Sequence, residues 1–244
     1  MNKVPHIGFS FVLFFTTLFM ISCSKDKNPS HIIDSQAFRL GDKNLYCSIA
    51  VPYDYNELDK YPLLLALHWG EPVNFESGDN FLYSFILPAL EDFNGIIISP
   101  SCPENSGWIH ENSQEFIFTL IDKIKTDYNI DTSKVAITGY SMGGIGTWYY
   151  AAEFPDLFSL AIPISCMPPR YILPIDKINP TRVIHGTSDE LFPINNVRDL
   201  VRDIKIKNNI ITLIEVENAG HYETEKYQKS LSEVLDWIED KWDN

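Results

Sequence analysis

Positive charge is in short supply in this 244-residue chain: 19 Lys and Arg stand against 33 Asp and Glu, a formal net charge of −14. No basic stripe interrupts that balance, so a basic face for nucleic acid or anionic lipid is excluded, because phosphates would be repelled. Cysteine is scarce as well, with four in the whole chain. Apart from Cys23 the thiols are Cys47, Cys102 and Cys166. An odd number closes no complete disulfide set, and the spacings match no metal site. They read as buried thiols, with a Cys102–Cys166 bridge as the alternative. There is no GxGxxG, no P-loop and no HExxH, so neither a cofactor nor a metal is expected. Internal repeats and low-complexity tracts are missing too. What remains is 45% hydrophobic, enough for one well-buried α/β domain of about 200 residues and too little chain for two.

The N-terminus is a different material. Lys3 precedes a 15-residue apolar stretch from Ile7 to Ile21, short for a membrane-spanning helix and right for a secretory signal. It ends in Met20-Ile21-Ser22-Cys23, which resembles a bacterial lipobox. Residues 1–22 are therefore expected to be a lipoprotein signal peptide, and Cys23 a lipid-modified anchor to the cell envelope, with the outer membrane as the expected address. An ordinary cleaved signal with an incidental cysteine is the alternative. Residues 23–35, polar and interrupted by Pro29, read as a flexible tether, and 36–244 as the folded domain.

Within that domain short apolar runs alternate with helical patterns. Strands are expected at Ala37–Leu40, Leu45–Val51, Leu63–Leu67, Gly95–Ser99, Val135–Thr138, Leu160–Ile164, Arg182–His185 and Ile211–Val216. Phe116, Ile117, Leu120, Ile121 and Ile124 recur on one face of 113–127, and Leu231, Val234, Leu235, Ile238 and Trp242 do the same near the C-terminus. A further helix is expected from about Asn80 to Asp92. Such alternation argues a mostly parallel sheet covered on both faces, opened by an antiparallel hairpin at 37–51.

The chemistry centres on Gly139-Tyr140-Ser141-Met142-Gly143, placed between an apolar strand and a helix. A sharp strand-to-helix turn holds a serine hydroxyl clear of the backbone, and small residues two positions either side let the turn pack. Ser141 is the candidate nucleophile. In hydrolases built on this turn the acid and the histidine follow the serine along the chain. His221, in Asn218-Ala219-Gly220-His221, is the only histidine after the acid loop Thr187-Ser188-Asp189-Glu190. Asp189 is the candidate acid and Glu190 its adjacent rival. Read separately, Asp189 is equally a helix cap and His221 a surface residue; their order and spacing favour the catalytic reading. The Met142 N–H is one candidate oxyanion donor. The second comes from the turn after the strand at 63–67, where Trp69 or Gly70 offers its N–H. His68 reads as a hydrogen bonder that stiffens this turn. Trp148 reads as core, while Trp69 and Trp108 are either core or an aromatic platform for a substrate ring.

On His68-Trp69-Gly70, Gly139 to Gly144, Ala152 to Phe158, His185 to Asp189 and Gly220-His221, the chain resembles the α/β-hydrolase superfamily from about residue 36 to 242. Among its members it resembles the compact esterases: phospholipase-type carboxylesterases, polyhydroxybutyrate-depolymerase-like proteins and feruloyl or acetylxylan esterases. The resemblance implies an eight-stranded, mostly parallel sheet with no large lid domain. It also implies Asp189 rather than Glu190 as the acid, and a turn in which Trp69 replaces the usual glycine. The activity it implies is a serine esterase acting on short acyl or aromatic esters, such as acylated glycans. A peptidase or thioesterase with the same triad and an inactive binding protein on the scaffold are the alternatives. Pro168-Pro169 and Pro174 forbid a long lid helix between residues 165 and 180.

Overall fold

The computed structural model describes residues 30–40, 43–70, 73–103, 107–172, 178–207 and 210–243. The signal segment, Cys23 and the tether up to Pro29 lie outside the described residues.

The central strands form because their side chains are covered on both faces. β3 (Tyr61–Leu67), β4 (Ile96–Pro100) and β6 (Leu160–Ile164) are near-continuous apolar runs, the pattern of parallel strands sandwiched by helices. With β1 (His31–Leu40), β2 (Lys43–Pro52), β5 (Ile130–Tyr140), β7 (Thr181–Gly186) and β8 (Ile211–Val216) they make one eight-stranded sheet, ordered β1-β2-β4-β3-β5-β6-β7-β8. β1 and β2 are antiparallel, β2 meets β4 antiparallel, and the other pairings are parallel. β1 begins at His31, so the tether expected to reach residue 35 stops earlier: His31 to Ser35 pair with Ser48 to Pro52. Its exposed residues are mostly polar, and that masked the strand signal.

The period-two geometry of a strand divides the core. Leu63, Leu65 and Leu67 pack with Phe116, Ile117, Leu120 and Ile124 of α3 (Glu111–Asp127) on one face. On the other face Leu64 and Ala66 pack with Phe81 and Phe85, and with Tyr227, Leu231 and Ile238. The expected helix at 80–92 is instead α1 (Ser77–Phe81), a π-helical turn (Leu82–Ile86) and α2 (Leu87–Ala89). The expected C-terminal helix is two, α6 (Glu225–Ser232) and α7 (Leu235–Asp243), parted by a tight turn in which the Val234 N–H donates to Leu231 O at 3.2 Å. α4 (Met142–Glu153) follows β5 directly, and α5 (Ile194–Lys207) covers the β7–β8 end through Val197, Val201 and Ile204. Between β6 and β7 the described residues hold one short 3-10 turn, Arg170–Ile172. Cys47, Cys102 and Cys166 are buried thiols outside any disulfide, so the Cys102–Cys166 bridge does not form. No helix among the described residues is long and apolar enough to cross a membrane.

Candidate active site

β5 ends at Tyr140 and α4 begins at Met142, leaving Ser141 alone at the corner with φ 52° and ψ −111°. Positive φ is uncommon for a residue with a side chain and marks a backbone held by its surroundings. The Ser141 N–H donates to Ile164 O at 2.9 Å, pinning the corner to β6. The flanking glycines are steric necessities. A Cβ at Gly143 would sit 1.9 Å from Leu67 O, and one at Gly139 would sit 2.4 Å from Gly143 O. The α4 backbone thus lies directly on the end of β3.

The three separated polar residues meet here. Ser141 Oγ is 2.9 Å from His221 Nε2, and His221 Nδ1 is 3.0 Å from Asp189 Oδ2. Both partners are buried, Asp189 5% and His221 3% exposed. Asp189 uses its two oxygens differently: Oδ1 accepts the Leu191 and Phe192 N–H groups at 2.9 and 2.8 Å, leaving Oδ2 to the histidine. Instead of capping the helix, Asp189 braces the turn that precedes α5 with one oxygen and faces the imidazole with the other. Burial pushes its carboxyl up, but hydrogen bonds from His221, Ser165 and Phe192 outweigh burial and hold it at about 2, so it is a carboxylate at neutral pH. With Asp189 accepting at Nδ1, the neutral imidazole carries its proton there and leaves Nε2 to accept from Ser141.

Glu190 does something else. Its Oε2 accepts the His221 backbone N–H at 2.8 Å, so it holds the histidine's chain and not its ring. His185, at the end of β7, donates from Nε2 to Phe192 O at 2.8 Å and is fully buried; burial lowers its pKa.

The turn after β3 is braced from several sides. His68 Nδ1 donates to Trp69 O at 2.6 Å, and His68 Nε2 accepts the Cys102 N–H at 3.0 Å. Burial lowers the His68 pKa to about 4, leaving a neutral ring that both donates and accepts. The Trp108 indole N–H donates to His68 O at 3.0 Å, and Trp108 is 1% exposed. Trp108 is therefore core, not platform. Trp69 stands edge-on to Phe81 at 5.1 Å and Tyr140 at 6.1 Å between ring centroids. A Cβ at Gly70 would lie 3.4 Å from Met142 Cβ, so the Trp69-Gly70 turn abuts the first residue of α4. Met142 N–H, in the first turn of that helix, has no intrahelical acceptor.

Three further hydroxyls complete the site, that of Tyr140 within the serine motif and those of Ser165 and Tyr227 outside the motifs. Ser165, directly after β6 with φ 50°, donates to Asp189 Oδ2 at 2.5 Å and lies 3.1 Å from His221 Nδ1. Tyr140 OH donates to His221 O at 2.7 Å, and Tyr227 OH donates to Gly220 O at 3.1 Å. The roles of the Ser165 and Tyr140 hydroxyls are hard to read locally, because their partners are 24 to 81 positions away. A serine closing an apolar strand was the one available signal for Ser165.

The sheet order, the strained serine corner and the histidine delivered after the last strand define an α/β-hydrolase. Residues 108–243, more than half the chain, match the dienelactone hydrolase family, and the chain belongs to it. Its sequence is 31% identical over 101 residues to "Probable feruloyl esterase C" of Aspergillus niger, a match covering 40% of this chain and 37% of that protein. It is 24% identical over 151 residues to a bifunctional acetylxylan esterase/xylanase of Neocallimastix patriciarum, covering 59% of this chain and 22% of that one. Among solved structures it is similar to a thermostable esterase (TM-score 0.66, 24% identity, 86% of this chain and 63% of that one). The fold is also similar to a feruloyl esterase module from Clostridium thermocellum complexed with sinapinate (TM-score 0.67, 14% identity, 86% of this chain and 87% of that one).

Proposed function

We propose that this hydrolase cleaves carboxylic esters through an acyl-enzyme on Ser141. The observation that carries the reading is the continuous Ser141–His221–Asp189 chain of hydrogen bonds on a positive-φ serine. Ser141 Oγ attacks the ester carbonyl carbon while His221 Nε2 takes its proton. The tetrahedral oxyanion is stabilised by the Met142 N–H and by the Trp69 N–H, with Gly70 as the other donor that turn offers. Collapse breaks the bond to the alcohol, which leaves with the proton from His221. Water then attacks the acyl carbon, His221 takes its proton, and the acid departs as Ser141 regains a hydrogen. Asp189 keeps the Nδ1–H tautomer in place and faces the imidazolium as it forms. No metal or cofactor enters the scheme.

The favoured substrates are short acyl or aromatic esters on glycans. Support comes from the feruloyl and acetylxylan esterase relatives and from the short 3-10 turn that stands between β6 and β7. A long acyl chain needs an extended apolar surface, whereas an uncovered site lets a bulky alcohol extend into solvent. We place the enzyme at the cell envelope, tethered through Cys23, on the strength of the apolar run and lipobox-like sequence before it.

Treatment with a fluorophosphonate should label the protein at Ser141, and Ser141→Ala should abolish labelling and lower kcat on p-nitrophenyl esters by about 10⁵ to 10⁶. Substantial turnover in that variant would sink the assignment. A preference for acyl chains of about ten carbons or more would refute the open short-chain site. Faster cleavage of peptide amides or thioesters than of any ester would transfer the triad to that chemistry. Cys23→Ala should release the protein from the membrane fraction or block its processing; unchanged detergent-dependent fractionation would count against the tether.

A further inference from the structure

The Asp189 Oδ2 atom is more crowded than a histidine-orienting carboxylate needs to be. His221 Nδ1 lies 3.0 Å from it, Ser165 Oγ 2.5 Å and His185 Nε2 3.5 Å. The Ser165 contact has the short length of a hydroxyl donating to a charged carboxylate. Its single proton is therefore committed to Asp189 in preference to the Tyr227 hydroxyl, which lies farther off at 3.4 Å, and the Ser165 lone pairs are left to accept. His221 Nδ1 lies 3.1 Å from the same Oγ, nearly as close as it lies to Oδ2. The Nδ1–H is shared between a charged and a neutral acceptor that are themselves bonded.

Ser165 holds this position at a conformational cost. Its φ of 50° falls in the left-handed region that favours glycine. The residue is fully buried, and its N–H donates to Ile184 O at 2.9 Å. A glycine would meet the backbone demand without strain, so the feature that distinguishes serine at this position is its hydroxyl. We propose that Ser165 is a positioning residue of the hydrolytic reaction: its hydroxyl disperses the Asp189 charge and supplies a second acceptor to the His221 Nδ1–H, fixing both ring angle and basicity. This rests on the ester-hydrolase reading above.

The other ionisable groups around the pair do not substitute for that hydroxyl. His185 is kept neutral by burial, and burial raises the Cys166, Tyr140 and Tyr227 pKa values. Tyr140 and Tyr227 donate to backbone carbonyls of His221 and Gly220. The carboxylates of Glu190 and Glu223 bond the backbone N–H groups of those same two residues. Removing the Ser165 hydroxyl thus leaves a more concentrated charge on Oδ2 and a ring with one acceptor. The imidazolium is then favoured, so the acid limb of kcat/KM moves to higher pH.

Ser165→Ala and Ser165→Gly test this together, because both delete the hydroxyl while only glycine relieves the backbone. On p-nitrophenyl acetate each variant should show kcat lowered about tenfold with KM little changed, the range of a lost partner to a reacting group. Each should also displace the acid limb upward by roughly half a pH unit or more. Ser165→Gly should do so while unfolding at or above the wild-type temperature. A purely structural role predicts the opposite: Ser165→Gly with wild-type kcat and an unmoved acid limb, which would overturn the inference. If the wild type turns over esters and Ser141→Ala does not, that result bears on Ser165 alone. A wild type with neither turnover nor fluorophosphonate labelling would remove the ester-hydrolase reading and this inference together.

Discussion

Asp189 and Glu190 are adjacent carboxylates doing separate jobs on one histidine, and that division is experimentally accessible. Asp189→Asn should lower kcat by about 10⁴, because an amide facing Nδ1 favours the wrong tautomer. Glu190→Gln keeps an acceptor for the His221 backbone N–H, bonded at 2.8 Å, and should cost less than about tenfold. Steady-state kinetics of the two variants decides the matter: equal damage would mean that the acid has been misassigned. The nucleophile, acid and base candidates were legible in the sequence because their motifs are local: a glycine-flanked serine, an acid loop after a strand, a histidine in a polar turn. The roles of the Ser165 and Tyr140 hydroxyls were not, since their partners are reached only through the tertiary fold. Trp108 was ambiguous for the same reason: only the fold shows its indole N–H spent on His68 O.

At the scale of elements, the junction of β5, α4 and β3 is the tightest seam near the site. Gly143→Ala would drive a methyl to 1.9 Å from Leu67 O, against backbone that cannot swing aside. Overpacking of this kind costs about 1–3 kcal/mol, occasionally more. Urea unfolding should register at least that loss, and wild-type stability would show that the seam relaxes. The buried strands β3, β4 and β6 were legible within a residue or two, because sandwiched strands write continuous apolar runs. The second half of β1 and its hairpin with β2 were legible, whereas His31–Gln36 was not, since an edge strand with polar exposed residues carries little periodic signal. The π-helical turn Leu82–Ile86 within the helix expected at 80–92 has no sequence signature that period counting detects, and the turn at Glu233–Val234 likewise interrupts an apolar stripe that reads as unbroken.

At the scale of the whole molecule, buried histidines set the acid tolerance. His68 titrates at about 4 in the fold against an ordinary 6.5. Below pH 6.5 the unfolded chain takes up a proton that the folded chain refuses. Stability from this residue is thus complete above pH 6.5, declines as pH falls towards 4, and is lost below that, amounting to about 3 kcal/mol. His31 and His185, also lowered by burial, act with the same sign. The Asp189 carboxylate, held at about 2, adds a second loss at lower pH, as the pH falls through the interval from 3.8 to 2. Urea midpoints measured from pH 7 to 4 should fall steadily, and His68→Gln should flatten the slope; an unchanged slope would show that the His68 ring escapes burial.

Among the described residues the sheet ends on one side with β8, paired there with β7 alone, and His221 is carried on the turn that follows it. Strands with a single neighbour open at lower free energy than the interior of a sheet. A transient separation of β8 would withdraw His221, the proposed general base, while Ser141, cornered between β5 and α4, would stay where it is. On the proposed mechanism the nucleophile and the proton carrier then stand on parts of the sheet with unequal numbers of neighbours, Ser141 after an interior strand and His221 after an edge strand.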